Sequence, residues 1–507
     1  MKYLVLAIAL LTVSSRPNPR LQDPASKALV LANVRIHTVS GPIIDGGSIL
    51  IENGRIKAVG KSISIPSDAK ILDLAGRVVI PGLVDASSGL FLKADEPAAT
   101  GSAEYDVADA LDFFDDTDLK QALASGVTTV CVSPPGRGPM LGLAAVVRVS
   151  PGPAPEGRIL KRSAALKLTL GVATGETSTA SQRYRDFVGL REAFEGAKKY
   201  RESWEKYRKE LEEYEKKKKE WDAKKKPAPK KDEAKADDSK KDDPKKDEPK
   251  KEEPKKEEPK KEEPPRAPEA ADAPQDPPRR GGRSRETADP APAAAADEPK
   301  KPNKPRLEAR LEVLVRALDE KNPLTVRIEA HAIDAVELAL RLAEEFKLKL
   351  VLDQGTEAAG AADALAKAKI PVAVGPVFRY GLPRVDYLNH SIDTAALLAK
   401  GGVEVSIGSF PVGPAGHRGA GAGRFLLEAA GWASSRGLSR EQALQAVTLN
   451  PARLLGLADE IGSIAPDRLA DLVVLKGEPF EAGTVIEQTL AAGEVVWSAP
   501  EAPAAAA

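Results

Sequence analysis

The sequence predicts an α/β protein: a parallel sheet, open or closed into a barrel, joined to a smaller β domain made by both ends of the chain. Three observations predict it. From Leu324 to Ser435, apolar runs of strand length alternate with amphipathic runs of helix length. Both ends carry short β-type runs broken by Gly, Asn, Asp and Pro turns. Between the halves stands a charged, proline-rich stretch that cannot bury enough apolar surface to offset the entropy of ordering.

The chain has 507 residues, long enough for two or three domains and a large core. Lys+Arg 75 against Asp+Glu 75 leaves no excess charge, so nothing points to nucleic acid or an anionic membrane as partner. The single cysteine, Cys131, excludes a disulfide framework within the chain and any Cys-based zinc knuckle. There are four histidines, His37, His331, His390 and His417, so a multi-histidine metal centre would need most of them together.

In chain order, Met1-Lys2, an apolar run from Tyr3 to Val13, and Ser14-Ser15 read as a secretory signal peptide over residues 1–15. Export to a periplasmic or extracellular compartment follows. The run is too short to span a bilayer, and no other stretch is long and apolar enough, so no transmembrane segment is expected. Residues 28–77 form the first part of the β domain, with turns at Ser40-Gly41-Pro42, Asp45-Gly46-Gly47 and Glu52-Asn53-Gly54-Arg55. Val78 to Val84 is a nearly continuous apolar run ending in Asp85, as in a strand buried on both faces. Val127 to Val132 and Ala144 to Val149 are similar.

Residues 78–223 make the first part of the α/β domain and include a heptad-like stripe: Phe187, Leu190, Phe194, Ala197, Tyr200, Trp204, Tyr207, Leu211 and Tyr214. That helix either packs on its own domain or mediates self-association through residues 187–214. Residues 224–305 are an insertion. From Lys240 to Pro264 the unit Lys-Lys-acid-acid-Pro repeats, neutral and without apolar side chains, which predicts a disordered, somewhat extended spacer. Residues 306–457 resume the alternation. Leu324–Ala330, Leu348–Leu352, Pro371–Val374 and Val403–Ile407 read as strands; Asp334–Phe346, Glu357–Ala368, Thr394–Lys400 and Arg424–Ser435 read as helices. Ser439 and Gln442 make a capping box, and Asn450-Pro451 an N-cap followed by proline at the first helical position. Residues 458–498 return to β runs.

Several segments carry a family pattern. At the front, Leu31-Ala32-Asn33-Val34-Arg35-Ile36 leads to Ile51-Glu52-Asn53-Gly54-Arg55-Ile56, then Val79-Ile80-Pro81-Gly82-Leu83-Val84-Asp85. At the back stand Thr448 with Asn450-Pro451-Ala452, Ile461-Gly462-Ser463-Ile464, and Ala470-Asp471-Leu472-Val473-Val474-Leu475. In order and spacing the chain resembles the amidohydrolase superfamily, closest to its imidazolonepropionase-like branch. The resemblance implies a (β/α)8 TIM-like barrel with a composite β-sandwich built from both chain ends. It also implies metal-dependent hydrolysis of amide, ring C–N or related bonds, in which a divalent ion such as zinc activates water.

The family's ligand motifs are degenerate here. After Asp85 its two histidine positions hold Ser87 and Gly89; a later histidine position holds Gln354, and the final aspartate position holds Phe410. Glu329 and His331 are residual metal candidates, two apart on a strand and so on one face, but two ligands fall short of three. Asp85 reads as an acceptor for loop amides or, like His417 on a loop after the last barrel strand, as a ligand contact at the barrel mouth. His37 and His390 read as structural. No Gly-x-Ser-x-Gly elbow surrounds Ser87 or Ser88, Cys131 lies in an apolar run, and Gly419 to Gly423 lacks a phosphate-cradling context. Two functions follow. One is an exported, catalytically degenerate protein without a metal cofactor that binds a small molecule or protein. The other is a metal-dependent hydrolase of non-peptide C–N bonds, such as a cyclic amide, with an atypical site.

Overall fold

The computed structural model describes residues 28–92, 101–114, 116–134, 138–151, 157–171, 179–225, 298–375, 377, 389–410 and 423–500. The expected signal peptide, most of the insertion and His417 lie outside the described residues. The first elements are β1 (Leu29–Ile36), β2 (Ile44–Glu52), β3 (Arg55–Gly60), β4 (Lys70–Asp73), β5 (Val78–Pro81) and β6 (Leu83–Ser88). Then come α1 (Asp116–Ala124), β7 (Val127–Val132), β8 (Met140–Arg148), β9 (Ile159–Thr169), α2 (Ala180–Lys225) and α3 (Ala309–Ala317). The alternating region holds β10 (Thr325–Ala330), α4 (Ile333–Phe346), β11 (Leu350–Gln354), α5 (Ala362–Lys367), β12 (Val372–Val374), α6 (Thr394–Lys400) and β13 (Val405–Ile407). The chain ends with α7 (Leu426–Ser435), α8 (Arg440–Ala446), α9 (Leu449–Leu455), β14 (Leu472–Lys476), β15 (Val485–Ala491) and β16 (Glu494–Ser498).

Two eight-stranded sheets organise these elements. The first joins both ends of the chain in the order β16-β15-β14-β5-β1-β2-β3, with β4 beside β1. Its seam is the antiparallel pairing of β5 with β14, Val79 opposite Val474. Leu31, Ile49, Ile56, Val79, Leu472 and Leu490 share one apolar core. The second sheet is the barrel, in the order β6 through β13. It is nearly closed: the Phe410 amide just beyond β13 donates to Ser87 O of β6 at 2.8 Å.

The apolar run Val78–Val84 serves both sheets rather than forming one strand. The chain passes between them at Gly82, where a Cβ would lie 2.2 Å from Thr128 Oγ1, so no larger residue fits the crossing. The barrel also departs from eight βα units. β8 is antiparallel to both β7 and β9, because the links at 133–139 and 149–158 are shorter than the dozen or so residues a crossover helix needs. The capping box at Ser439 and Gln442 forms. Asn450 is not an N-cap: α9 begins at Leu449 with Thr448 at its N-cap, and the Asn450 side-chain amide instead donates to Val405 O at 2.8 Å.

The described residues fall into two units, 28–205 with 305–500 and 206–225 with 298–304. In the first, Phe187, Leu190, Phe194, Ala197 and Tyr200 of α2 are buried in their own domain; Phe194 stacks against Phe346 at 5.2 Å, and Tyr200 bonds Glu312. That half of the stripe is therefore consumed within the chain. The helix is also longer than its stripe and includes Lys224 and Lys225 of the expected insertion. In the second unit, Lys218 lies over the Trp221 ring at 4.4 Å and pairs with Glu298. There Pro299 and Pro302 are half-buried while Lys300, Lys301, Asn303 and Lys304 are exposed, a period of three that suits polyproline-type backbone.

Candidate functional site

In a barrel of this kind, chemistry belongs at the carboxyl ends of the strands. Asp85 and Ser87 of β6, Thr169 of β9, Glu329 of β10, Gln354 of β11 and Phe410 beyond β13 all lie there. Alternation turns every second residue of each strand inward. Toward the base the inward residues are small and apolar: Val84, Ala86, Cys131, Ala144, Val146, Val351 and Ala373 share one cluster, capped by Ala452, Leu455 and Ile461 at and after α9.

Above this layer the interior is charged. Lys167, Arg327 and Asp353 are buried, and Glu329 nearly so. Register places Arg327 beside both Lys167 and Val351, and Glu329 beside Asp353. Arg327 forks onto Asp353, with Nη2 2.7 Å from Oδ1 and Nε 3.1 Å from both oxygens. Lys167 Nζ donates to Asp353 Oδ2 at 2.7 Å and lies 3.2 Å from Glu329 Oε2. The remaining Arg327 nitrogen, Nη1, reaches Cys131 Sγ at 3.6 Å. Burial pulls the Lys167 ammonium toward a lower pKa, but Asp353 and Glu329 outweigh it and hold the value above the ordinary range. Burial likewise pushes Asp353 up, and Arg327 with Lys167 overcomes that and holds it low. Both partners therefore stay charged near neutral pH. Burial alone dominates at Cys131 and raises its thiol, which leaves it a small buried filler rather than a nucleophile.

Asp85 and Phe410 join the first and last barrel strands near their carboxyl ends. The Phe410 ring is buried against two glycines: a Cβ at Gly375 would meet its Cδ2 at 2.5 Å, and one at Gly408 would meet its Cε2 at 2.9 Å. Asp85, wholly buried, accepts from the Ser87 and Ser409 amides at 3.2 and 2.9 Å and from the Ser409 hydroxyl. It thereby clasps the first barrel strand to the last. Burial raises its carboxyl to about 6 despite these bonds. Gln354 at φ +66° and Phe410 at φ +42° have left-handed backbone. Such a backbone costs roughly 1–3 kcal/mol at each residue.

The structure brings Glu329 and His331 together, with Nε2 3.4 Å from Oε1, while His331 Nδ1 lies 2.7 Å from Thr356 Oγ1. Ser87 Oγ faces Ser133 Oγ at 3.4 Å. Gly89 has no side chain to offer, and the Gln354 amide lines a small recess with Thr356, His390 and Thr394. His37 is remote, bonded to Glu478 where the two chain ends meet. Among the described residues, no three His, Cys, Asp or Glu side chains are arranged to hold an ion. The donor set does not suit a divalent cation: the two carboxylates already face an ammonium and a guanidinium. Lys167, Arg327 and Asp353 were missed from sequence. Their signal was a charge within each apolar strand run, as in Leu166-Lys167-Leu168, Val326-Arg327-Ile328 and Leu352-Asp353.

Comparison with known proteins places this barrel. A model of the amidohydrolase family matches residues 285–497. A crystal structure of an amidohydrolase from Thermotoga maritima MSB8 aligns over 93% of this chain and all of that one, at 26% identity and a TM-score of 0.63. The chain belongs to the amidohydrolase superfamily. Curated relatives match over short stretches: adenine deaminase 2 of Jannaschia sp. (strain CCS1) at 48% identity over 64 residues, covering 13% of this chain and 10% of that protein. Imidazolonepropionase of Vibrio cholerae matches at 42% over 48 residues, covering 10% of this chain and 12% of that one. The aligned stretches thus span about a tenth of those two relatives. The superfamily generally relies on divalent metal, so the charge-filled interior is what sets this amidohydrolase-type barrel apart from that expectation.

Proposed function

We propose that this superfamily member acts by binding or assembly rather than by metal-assisted hydrolysis, and that it does so after export. The observation that carries the reading is the content of the barrel. Hydrolysis in this fold needs a held ion, a polarised carbonyl and room for both. Here Lys167, Arg327 and Phe410 fill the space above the apolar base, and the charges inside balance without an ion. The bound partner is a small molecule or a protein. Among the described residues no helix is long and apolar enough to cross a membrane, and export rests on the leader at residues 1–15.

A second reading is a hydrolase of non-peptide C–N bonds with an atypical metal site. It is favoured by the kinship with an adenine deaminase and an imidazolonepropionase. The two readings separate on the purified mature protein. Under the first, mass spectrometry of zinc, nickel, manganese and iron finds well under one ion per folded chain, and cyclic amides and aminopurines are not turned over. Near-stoichiometric metal, lost together with a hydrolytic activity in Glu329→Ala or His331→Ala, would establish the second.

A further inference from the structure

The charges inside the barrel carry one step more, which rests on the reading that the barrel does not work through a bound ion. Two carboxylates from neighbouring strands converge on one nitrogen: Asp353 Oδ2 of β11 at 2.7 Å and Glu329 Oε2 of β10 at 3.2 Å from Lys167 Nζ. The other Glu329 oxygen lies 3.4 Å from His331 Nε2. Two carboxylates and an imidazole are a donor set that zinc and cobalt accept. The tip of a buried lysine lies between the two carboxylates.

We propose that the Lys167 ammonium is a built-in cation that holds the place of a divalent ion and bars one from the barrel, so that Glu329, Asp353 and His331 become a metal site only when it is removed. The charge arithmetic supports this. Lys167 and Arg327 balance Asp353 and Glu329, so an added divalent ion would leave two uncompensated positive charges in a buried interior, at a cost of several kcal/mol. Removing Lys167 leaves one net negative charge and two carboxylate oxygens aimed at the vacated point. Arg327 continues to hold Asp353 in place from the far side. Glu329 and His331 sit at the end of β10, where small adjustments can shorten their reach to bonding distance.

Cobalt(II) is a suitable probe, because protein ligands give it visible absorption bands. The full chain is stripped with chelator, loaded with Co2+ and passed through gel filtration. Wild type retains less than about 0.1 ion per chain, and Lys167→Arg behaves the same because it keeps the charge. Lys167→Met retains about one ion, shows the visible bands, and unfolds at a higher temperature with Co2+ than without. Lys167→His, which supplies a ring nitrogen in the vacated space, does likewise and stands in should the methionine variant not fold. Folded Lys167→Met and Lys167→His that both retain no Co2+ would overturn the proposal while leaving the non-catalytic reading of the wild type intact. Stoichiometric Co2+ in the wild type, abolished by Glu329→Ala, would overturn both. If neither variant folds, wild-type retention decides: no ion supports the exclusion, and one ion refutes it.

Discussion

The two faces of the barrel sheet come from the same strands and are held by different physics. Outward residues such as Val326, Ile328, Leu350 and Leu352 pack with the surrounding helices in one extended apolar core. One residue along, the inward set carries Arg327, Glu329 and Asp353, joined by Lys167. The outer face gains from area removed from water, is non-directional, and tolerates exchange of one apolar residue for another. The inner face gains little net energy from its charges, since desolvation offsets their attraction, but it penalises any single loss. The comparison teaches where this chain can change cheaply. It also shows how charges inside a barrel can be paired by its own side chains.

The first test of that contrast has the largest expected effect. Arg327→Met should cost about 3–5 kcal/mol in urea denaturation, because Asp353 loses its bidentate partner in a dry site. Ile328→Val, on the adjacent outward position, should cost about 1 kcal/mol. The paired change Arg327→Met with Asp353→Leu should recover most of the loss. A pair as unstable as Arg327→Met alone would break the account of the inner face. Next, Phe410→Ala should cost about 3 kcal/mol through the void it leaves between Gly375 and Gly408. A loss under about 1 kcal/mol would mean that the ring is less tightly packed than its burial implies.

The third test is a pH profile. Burial raises the folded Asp85 carboxyl to about 6, above the ordinary carboxylate value, so the folded state holds its proton longer than the unfolded state. Stability from this group is therefore greatest below pH 4 and falls as pH rises toward about 6, by about 2–3 kcal/mol. Asp85→Asn should flatten that limb, measured as the wild-type minus variant difference between pH 4 and pH 7. An unchanged difference across that range would place the carboxyl in a wetter setting than its burial implies. The smallest effect belongs to the charged, proline-rich insertion. Deleting residues 226–297 should shift the barrel's thermal midpoint by no more than about 2 °C, since a chain of alternating charges and prolines contributes little packing.

Much of the fold was legible in the residues. The period-two and period-3.6 patterns located β10 through β13 and their helices to within a few residues, and the Ser439–Gln442 box marked the start of α8. The seam between the chain ends was legible too, because turn residues at fixed offsets frame its strands. The break at Gly82 was not. A continuous apolar run looks the same whether it stays in one sheet or crosses into another, and only the approach of Thr128 reveals the crossing. The antiparallel β8 was hidden for a related reason: buried strands of either direction read as unbroken apolar runs.

The candidate site divides along the same line. From the sequence by itself, the family resemblance sets Ser87, Gly89, Gln354 and Phe410 at the positions expected to hold an ion, an expectation that rests on residue type alone. The sequence also led to the expectation that one strand would present Glu329 and His331 on one face. Only the tertiary structure decided that Lys167, from a strand far away in the chain, meets Glu329 and Asp353, and that Arg327 completes the pairing. Local patterns fix which way a side chain points, whereas pairing across a barrel depends on strand register, and that is set by the packing of the whole sheet.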